Sequence, residues 1–277
     1  MDNSVRLKIH KPGMHTVLLM QDKIGLQKYG VPVGGPMDAE AAKLANWLVG
    51  NKEESPLLEI TMQGPTIEFS GSCQIALTGA SANATIDSVP IYENETLTIA
   101  KSEVLTIGKL TNGSRAYLAV RGDWRHQDQK TSFKNHVLKK EDEITIKATA
   151  RPIKQRTSTW NDTINGALVV RAVPGPEWNE LLETAREAIL ATTFTLLPES
   201  NRMGYRLSPN LPDVITSIIS SGVIPGVLQI TPQGMPILLM QDGPTTGGYV
   251  RALTVLSEDL SKLGQLKPGD QFSFSIL

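Results

Sequence analysis

The stretch Pro236-Ile237-Leu238-Leu239-Met240-Gln241-Asp242-Gly243-Pro244-Thr245-Thr246-Gly247-Gly248-Tyr249 passes from an apolar run into a dense set of hydrogen-bonding groups. The apolar run fits a buried strand. Gly243-Pro244 then forbids its continuation, because Pro fixes φ and removes an N–H donor. Thr245, Thr246, Gly247 and Gly248 offer two hydroxyls and successive backbone N–H groups that can form an anion-binding concavity, with the carboxylate of Asp242 at its mouth. The same residues also suit a tight turn, with Gly supplying φ > 0 and Thr supplying β propensity. The segment reads as a strand that delivers polar groups.

Similar strands recur on either side. Val17-Leu18-Leu19-Met20-Gln21-Asp22 echoes Ile237 to Asp242, a short match that fits either two related halves or a chance recurrence of a strand pattern. Alternation at Val5/Leu7/Ile9, Ala116/Leu118/Val120, Ile144/Ile146 and Phe272/Phe274/Ile276 adds further strands. Two segments read as helices. The first is capped by Asp38, has Ala41, Leu44, Ala45 and Leu48 at helical spacing, and stops at Gly50-Asn51. The second follows Pro174-Gly175-Pro176, with Trp178, Leu181, Leu182, Ala185 and Ile189 on one apolar face. The expectation is a mainly β chain with a few helices, built as barrels or sandwiches and not as a doubly wound sheet. A polar, weakly periodic stretch from Thr149 to Gly166 places a boundary near residue 160, giving domains 1–160 and 161–277.

Composition narrows the function. With 27 Lys+Arg against 28 Asp+Glu in 277 residues, the net charge of −1 gives no global attraction to nucleic acid or an anionic membrane. One cysteine, Cys73, permits no intrachain disulfide and no Cys-rich zinc site, so a reducing, cytoplasmic setting is expected. No stretch approaches the roughly 20 apolar residues that span a bilayer, and the N-terminus alternates like a first strand, unlike a signal peptide. A soluble protein is expected. His10, His15, His126 and His136 lack paired metal-ligand spacing, so no metal is expected. Neither a Walker loop, a Gly-x-Ser-x-Gly elbow nor an Ala-Met-Lys-Met biotin attachment segment occurs.

Three further segments could carry chemistry. The turn-rich Tyr29-Gly30-Val31-Pro32-Val33-Gly34-Gly35-Pro36-Met37-Asp38 runs into the first helix, whose N–H groups could hold an anion unless Asp38 occupies them itself. Asn201-Arg202-Met203-Gly204-Tyr205-Arg206-Leu207, if extended, puts Arg202 and Arg206 on one face and Met203 and Tyr205 on the other. Two guanidiniums on one face suit a carboxylate, a phosphate or a ureido oxygen, or simply a soluble edge strand. Ser220-Ser221-Gly222-Val223-Ile224-Pro225-Gly226-Val227-Leu228-Gln229 reads as a strand with turn residues, whose Gln229 amide either meets a planar substrate or simply caps a core strand at the surface.

Taken in order, Gly30 to Asp38, Ala45-Asn46, Leu58-Glu59-Ile60, Thr78-Gly79-Ala80, Arg202 to Leu207, Pro225-Gly226 with Gln229, and Thr245 to Tyr249 resemble the KipA family. The members of this family are also called the C subunit of 5-oxoprolinase or the second subunit of allophanate hydrolase, and they are related to the carboxyltransferase region of urea carboxylase. The resemblance covers nearly the whole chain. It implies two cyclophilin-like β-barrel domains and a complex with a KipI-like B subunit, often with a LamB/YcsF-type A subunit.

It also implies one of two chemistries: ATP-dependent opening of 5-oxoproline to glutamate, or transfer of a carboxyl group between carboxybiotin and a urea-like amide. ATP would enter through the complex, and biotin would arrive from a partner. A non-catalytic role as regulatory binder of a KipI-like kinase inhibitor is the third reading. The matched positions that would carry chemistry are Asp38 and Asp242 as carboxylates and Arg202 and Arg206 as clamps. Asn46, Tyr205, Gln229 and Tyr249 would contact substrate, and Thr245, Thr246, Gly247 and Gly248 would form the anion cradle. Departures from the family pattern fall at Gly34-Gly35-Pro36, at Ser221 before Gly222, at Gly243-Pro244, and after Val120, where a long Gly-rich segment is replaced by Arg121 to His126 and a short passage to Glu141.

Overall fold

The computed structural model describes residues 4–20, 25–125, 135–149, 152–159, 167–212 and 218–277. Its backbone divides into two compact units, Met1–Gln21 with Asp38–Thr163 and Asp22–Met37 with Ile164–Leu277. The boundary expected near residue 160 lies outside the described residues, as do Gln21 and Asp22 of the internal echo and residues 126–134 of the replaced loop. The chain's early visit to the second unit, through Asp22–Met37, has no counterpart in the sequence reading.

The first unit contains β1 (Ser4–Lys11), β2 (His15–Leu19), α1 (Ala39–Val49), β3 (Leu57–Thr61), β4 (Thr66–Phe69), β5 (Cys73–Ile86), β6 (Val89–Pro90), β7 (Leu97–Ile99), β8 (Val104–Val120), β9 (Gly122–Arg125), β10 (His136–Val137) and β11 (Glu143–Ala148). They form one sheet in the order β10-β2-β3-β8-β4-β1-β11-β9, curled into a half-barrel, with β5 paired along β8. Alternation sets its inside. Val5 and Leu7 of β1 stand opposite Ile146 and Ile144 of β11, and all four are buried in one core. From Ala116 to Val120 both faces of β8 are buried. Ala116, Leu118 and Val120 join that core, while Tyr117 and Ala119 face Ala41, Ala45 and Leu48 of α1. Helix α1 begins where expected, the Asp38 carboxylate accepting from Ala41 N at 3.0 Å, and ends at Gly50 with φ 69°.

The second unit contains β12 (Leu168–Pro174), α2 (Glu183–Ala191), β13 (Phe194–Leu196), β14 (Gly204–Ser208), β15 (Ser221–Gly222), β16 (Val227–Ile230), β17 (Pro236–Leu239), β18 (Thr246–Gly247), β19 (Val250–Val255), α3 (Ser257–Gly264) and β20 (Gln271–Ile276). Seven strands close a barrel in the order β12-β19-β16-β17-β14-β13-β20. Its core is filled by Phe194, Phe272 and Phe274 in tilted and edge contacts, the last two with centroids 5.3 Å apart. Met37 is fully buried in the same core, which ties the Asp22–Met37 segment to the barrel. The mainly β architecture expected from alternation is therefore present, closed in one unit and curled in the other.

Two helices differ from expectation. The second predicted helix is interrupted: a 3₁₀ turn spans Trp178–Glu180, Leu181 and Leu182 are extended with ψ of 142° and 149°, and α2 starts at Glu183. Leu182 consequently points to solvent while Leu181, Ala185 and Ile189 are buried. Helix α3 escapes an apolar-periodicity reading because its buried face consists of Asp259, Ser261, Leu263 and Gly264. No helix among the described residues is long and apolar enough to cross a membrane.

Candidate functional site

Period-2 alternation sorts the barrel side chains into inside and outside. Tyr205 and Leu207 of β14, Leu238 of β17, Leu228 and Ile230 of β16 and Ala252 of β19 fill the core. The residues between them face outward. Strand register sets four of these in a row across β14, β17, β16 and β19: Arg206 opposite Ile237, Ile237 opposite Gln229, and Gln229 opposite Arg251.

Part of this outer face is covered by the segment that followed the strand in the sequence. Thr246 and Gly247 form β18, which pairs with β15 so that Ser221 opposes Gly247 and Gly222 opposes Thr246. Val223 N donates to Thr245 O at 3.1 Å and Ile218 N to Gly248 O at 3.1 Å, extending the ribbon at both ends. Beneath it Val223, Val227, Leu239 and Ile237 make a small apolar layer on the outside of the barrel. Gly247 lies directly on the Gln229 amide: a Cβ there would stand 2.5 Å from Gln229 Nε2. A side chain at this position would have to push the Gln229 amide aside. Gln229 is 3% exposed, and its Nε2 donates to Tyr249 O at the long distance of 3.5 Å.

Arg251 fastens the ribbon to the barrel. Its Nε and Nη2 donate to Glu177 Oε2 and Oε1 at 2.9 and 2.5 Å, and its Nη1 donates to Gly222 O at 3.1 Å. The backbone N of Arg251 also donates to Glu177 Oε2 at 3.0 Å. These hydrogen bonds hold the Glu177 carboxyl below its usual range.

A second forked pair joins the turn before β14 to the end of the β17 strand. Arg202 Nε and Nη2 donate to Asp242 Oδ2 and Oδ1 at 2.7 and 3.1 Å, and Nη2 also reaches Gly35 O at 2.7 Å. Arg202 and Arg206 do not share a face as the extended reading expected. Asn201 and Gly204 exchange backbone bonds of 3.1 and 3.2 Å, so residues 201–204 turn and the strand starts only at Gly204. Met203 is accordingly exposed, whereas Tyr205 is in the core at 1% exposure.

The carboxyltransferase domain model, covering its subdomains A and B, matches residues 29–276. The chain belongs to the carboxyltransferase family. It is 32% identical over 285 residues to the C subunit of 5-oxoprolinase from Escherichia coli (strain K12), covering 97% of this chain and 90% of that one. It is 29% identical to urea amidolyase of Saccharomyces cerevisiae across 97% of this chain but only 16% of that protein. Among solved structures, the Kluyveromyces lactis urea carboxylase superposes with a TM-score of 0.84 at 27% identity, covering 98% of this chain and 27% of that one.

The family motifs thus fall into two kinds of surroundings. In the second unit Gln229, Gly247 and Tyr249 come together, Thr245, Thr246 and Gly248 build the ribbon over them, Arg206 stands in the same row, and Arg202 and Asp242 pair. In the first unit, Asn46 spends its amide inside the fold, donating to Glu53 O and Ser55 O at 3.0 and 2.9 Å. Asp38 is fully buried at the helix start; its N–H donates to Tyr117 Oη at 2.8 Å, and Tyr117 Oη donates to Glu59 Oε2 at 2.9 Å. Arg115 faces Glu59 at 3.8 Å. Burial, reinforced by the charges of Glu59 and Asp38, raises the Tyr117 hydroxyl well above its usual pKa, so it remains a donor.

Sequence reading missed Glu177, Arg251, Tyr117 and Arg115 as polar determinants, and it quoted Glu59 without a role. The available signal was a charge or hydroxyl inside an apolar strand, as in Leu58-Glu59-Ile60 and Ala116-Tyr117-Leu118.

Proposed function

We propose that the chain acts as the C subunit of a cytoplasmic, ATP-dependent 5-oxoprolinase, working with a KipI-like B subunit and a LamB/YcsF-type A subunit. The observation that carries this reading is the 32% identity to the Escherichia coli 5-oxoprolinase chain, which runs through 90% of that chain's length. The reaction adds water across the lactam C–N bond of 5-oxoproline. The carbonyl carbon becomes the side-chain carboxylate of glutamate, the nitrogen takes a proton to become its amine, and a second water takes ATP to ADP and phosphate. Opening a planar lactam demands fixed donors at the carbonyl and at the substrate carboxylate, and the guanidinium and amide groups on the outer face of the barrel are of that type. The free, buried thiol of Cys73 fits a reducing compartment.

The test is reconstitution with the two partner subunits and measurement of ATP-dependent glutamate release. Release that requires this chain supports the reading, and its absence from an assembled complex overturns it. The match to urea amidolyase and to the urea carboxylase structure favours a second reading, transfer of a carboxyl group from carboxybiotin to a urea-like amide. Bicarbonate- and carrier-dependent carboxylation of such an amide, with no glutamate release, would select it. Capture of a KipI-like partner with neither turnover would select a regulatory binder of a kinase inhibitor.

A further inference from the structure

We propose that Asn112-Gly113 is a site of spontaneous covalent modification, where the Asn112 carboxamide cyclises onto the following backbone nitrogen and opens to aspartate and isoaspartate. The site lies where β8 departs from its neighbours. On one side Ser81 pairs with Thr111 and Gly79 with Ala116, so residues 112–115 stand opposite Ala80 alone. On the other side Met62 N donates to Ser114 O at 2.9 Å, while Met62 O accepts from Leu110 N at 2.8 Å. One residue thus holds both ends of an excursion. Asn112 and Gly113 have no register partner in either neighbouring strand, as befits the surplus residues of a bulge.

The backbone of the bulge selects the reactive dipeptide. Asn112 has φ 52° and Gly113 has φ 142°. The first value is one that asparagine tolerates better than most residues with a side chain, and the second is essentially open to glycine alone. Glycine also leaves the attacking nitrogen without a Cβ to crowd it. The Asn112 carboxamide is exposed and has no hydrogen-bond partner among the described residues. Other asparagine amides are spent on the fold: Asn46 donates to Glu53 O and Ser55 O, Asn51 to Val120 O and Asn210 to Gln233 O. None of those three precedes a glycine.

The reaction needs only water. The Gly113 backbone nitrogen, having lost its proton to solvent, forms a bond to Asn112 Cγ. The Cγ–Nδ2 bond breaks, and Nδ2 takes up a proton and leaves as ammonia. The succinimide ring then adds one water. Opening at Cγ returns the ordinary main chain with aspartate at 112, whereas opening at the Asn112 backbone carbonyl carbon leaves the chain running through Cγ as isoaspartate. Each event adds one negative charge to a chain whose formal charge is −1. Ring closure requires the Asn112 backbone to rotate. A segment without register partners does so at the low opening cost of a surface loop, a freedom that a paired strand lacks.

The test is incubation of the purified full chain at alkaline pH, folded and unfolded in guanidinium chloride, followed by tryptic mass mapping. Methyl transfer from S-adenosylmethionine by an isoaspartyl methyltransferase counts the isoaspartate. Cleavage after Lys109 and Arg115 isolates residues 110–115, in which Asn112 is the one amide side chain. In the folded chain this peptide is expected to turn acidic and accept methyl groups, faster as pH rises and at a rate within about tenfold of the unfolded chain. Asn165-Gly166, outside the described residues, falls on the separate peptide 157–171 and serves as an internal comparison. Asn112→Gln, whose longer side chain closes a larger ring, should abolish conversion in peptide 110–115 and leave peptide 157–171 unchanged. Folding that slows conversion at Asn112 by more than about a hundredfold overturns the site. So does conversion at Asn165 with none at Asn112.

Discussion

The polar groups of the curled sheet and those of the closed barrel have opposite fates. In the first unit Asp38, Tyr117, Glu59 and Arg115 are all buried; hydrogen bonds link Asp38 N, Tyr117 and Glu59, and Arg115 faces Glu59 at 3.8 Å. In the second, Arg206 stands exposed in a row with Gln229, beneath and beside a ribbon whose backbone bonds are made by Thr245 to Gly248. Both sets include residues that the family resemblance singles out, Asp38 and Leu58-Glu59-Ile60 in the first unit and Arg202 to Leu207 with Gln229 in the second. Such a motif therefore marks a place where polar groups are fixed, and burial decides whether they are spent on the fold or left for a ligand.

Substitutions can overturn this contrast in graded steps. The largest effect is expected from Glu59→Ala, which removes the carboxylate facing Arg115 in a buried setting. Denaturant unfolding should show a loss of about 3–5 kcal/mol. Preservation of full stability would show that the cluster does not hold the first unit together. Tyr117→Phe keeps the ring but deletes the hydroxyl that links Asp38 N to Glu59, with an expected loss of about 1–3 kcal/mol by the same measurement.

A pH titration probes the barrel side of the contrast. Hydrogen bonds from Arg251 hold Glu177 below its ordinary value of 4.5. For Asp259, burial alone would raise the pKa, but hydrogen bonds from Arg171 and Lys262 outweigh it and hold the carboxyl well below 3.8. Folded-state values depressed in this way mean that the unfolded chain binds protons first. The stabilisation is therefore fully present above the ordinary carboxylate range and is lost as pH falls below about 4.5 through the folded values. Thermal melts carried downward in pH should show this acid-side loss in the wild type and a shallower one in Glu177→Gln and Asp259→Asn. Equal slopes would mean that these ion pairs do not stabilise the barrel. The smallest effect on stability is expected from Arg206→Ala, within about 0.5 kcal/mol of wild type because the side chain is exposed and meets a weak acceptor. A larger loss would place Arg206 among the structural arginines, with Arg171, Arg202 and Arg251.

Much of the fold was legible. Alternation in Val5/Leu7/Ile9 and Phe272/Phe274 located strands because period 2 survives wherever one face is buried, and Asp38 with Gly50 bounded α1 because capping is local chemistry. Helix α3 was illegible because its buried face is polar, and the 178–191 helix was overdrawn because apolar spacing does not record a break at Leu181 and Leu182. At the candidate site, the motif residues Arg202, Asp242, Gln229 and Gly247 were legible from the resemblance. The Glu177–Arg251 pair that fastens the ribbon was not, since its members meet across 74 residues of chain.

From sequence came a mainly β chain, the position of its first helix, the apolar strand that ends at Asp242 and membership of a recognisable family, all of which rest on local periodicity, turn chemistry and short motifs. Long-range packing settled that the barrel closes, that residues 22–37 belong to the barrel unit, and that Arg206, Ile237, Gln229 and Arg251 line up on one outer face while Asp38 and Tyr117 are buried. Strand register and burial are set by pairing between distant segments, and no local pattern records which strand a given strand will meet.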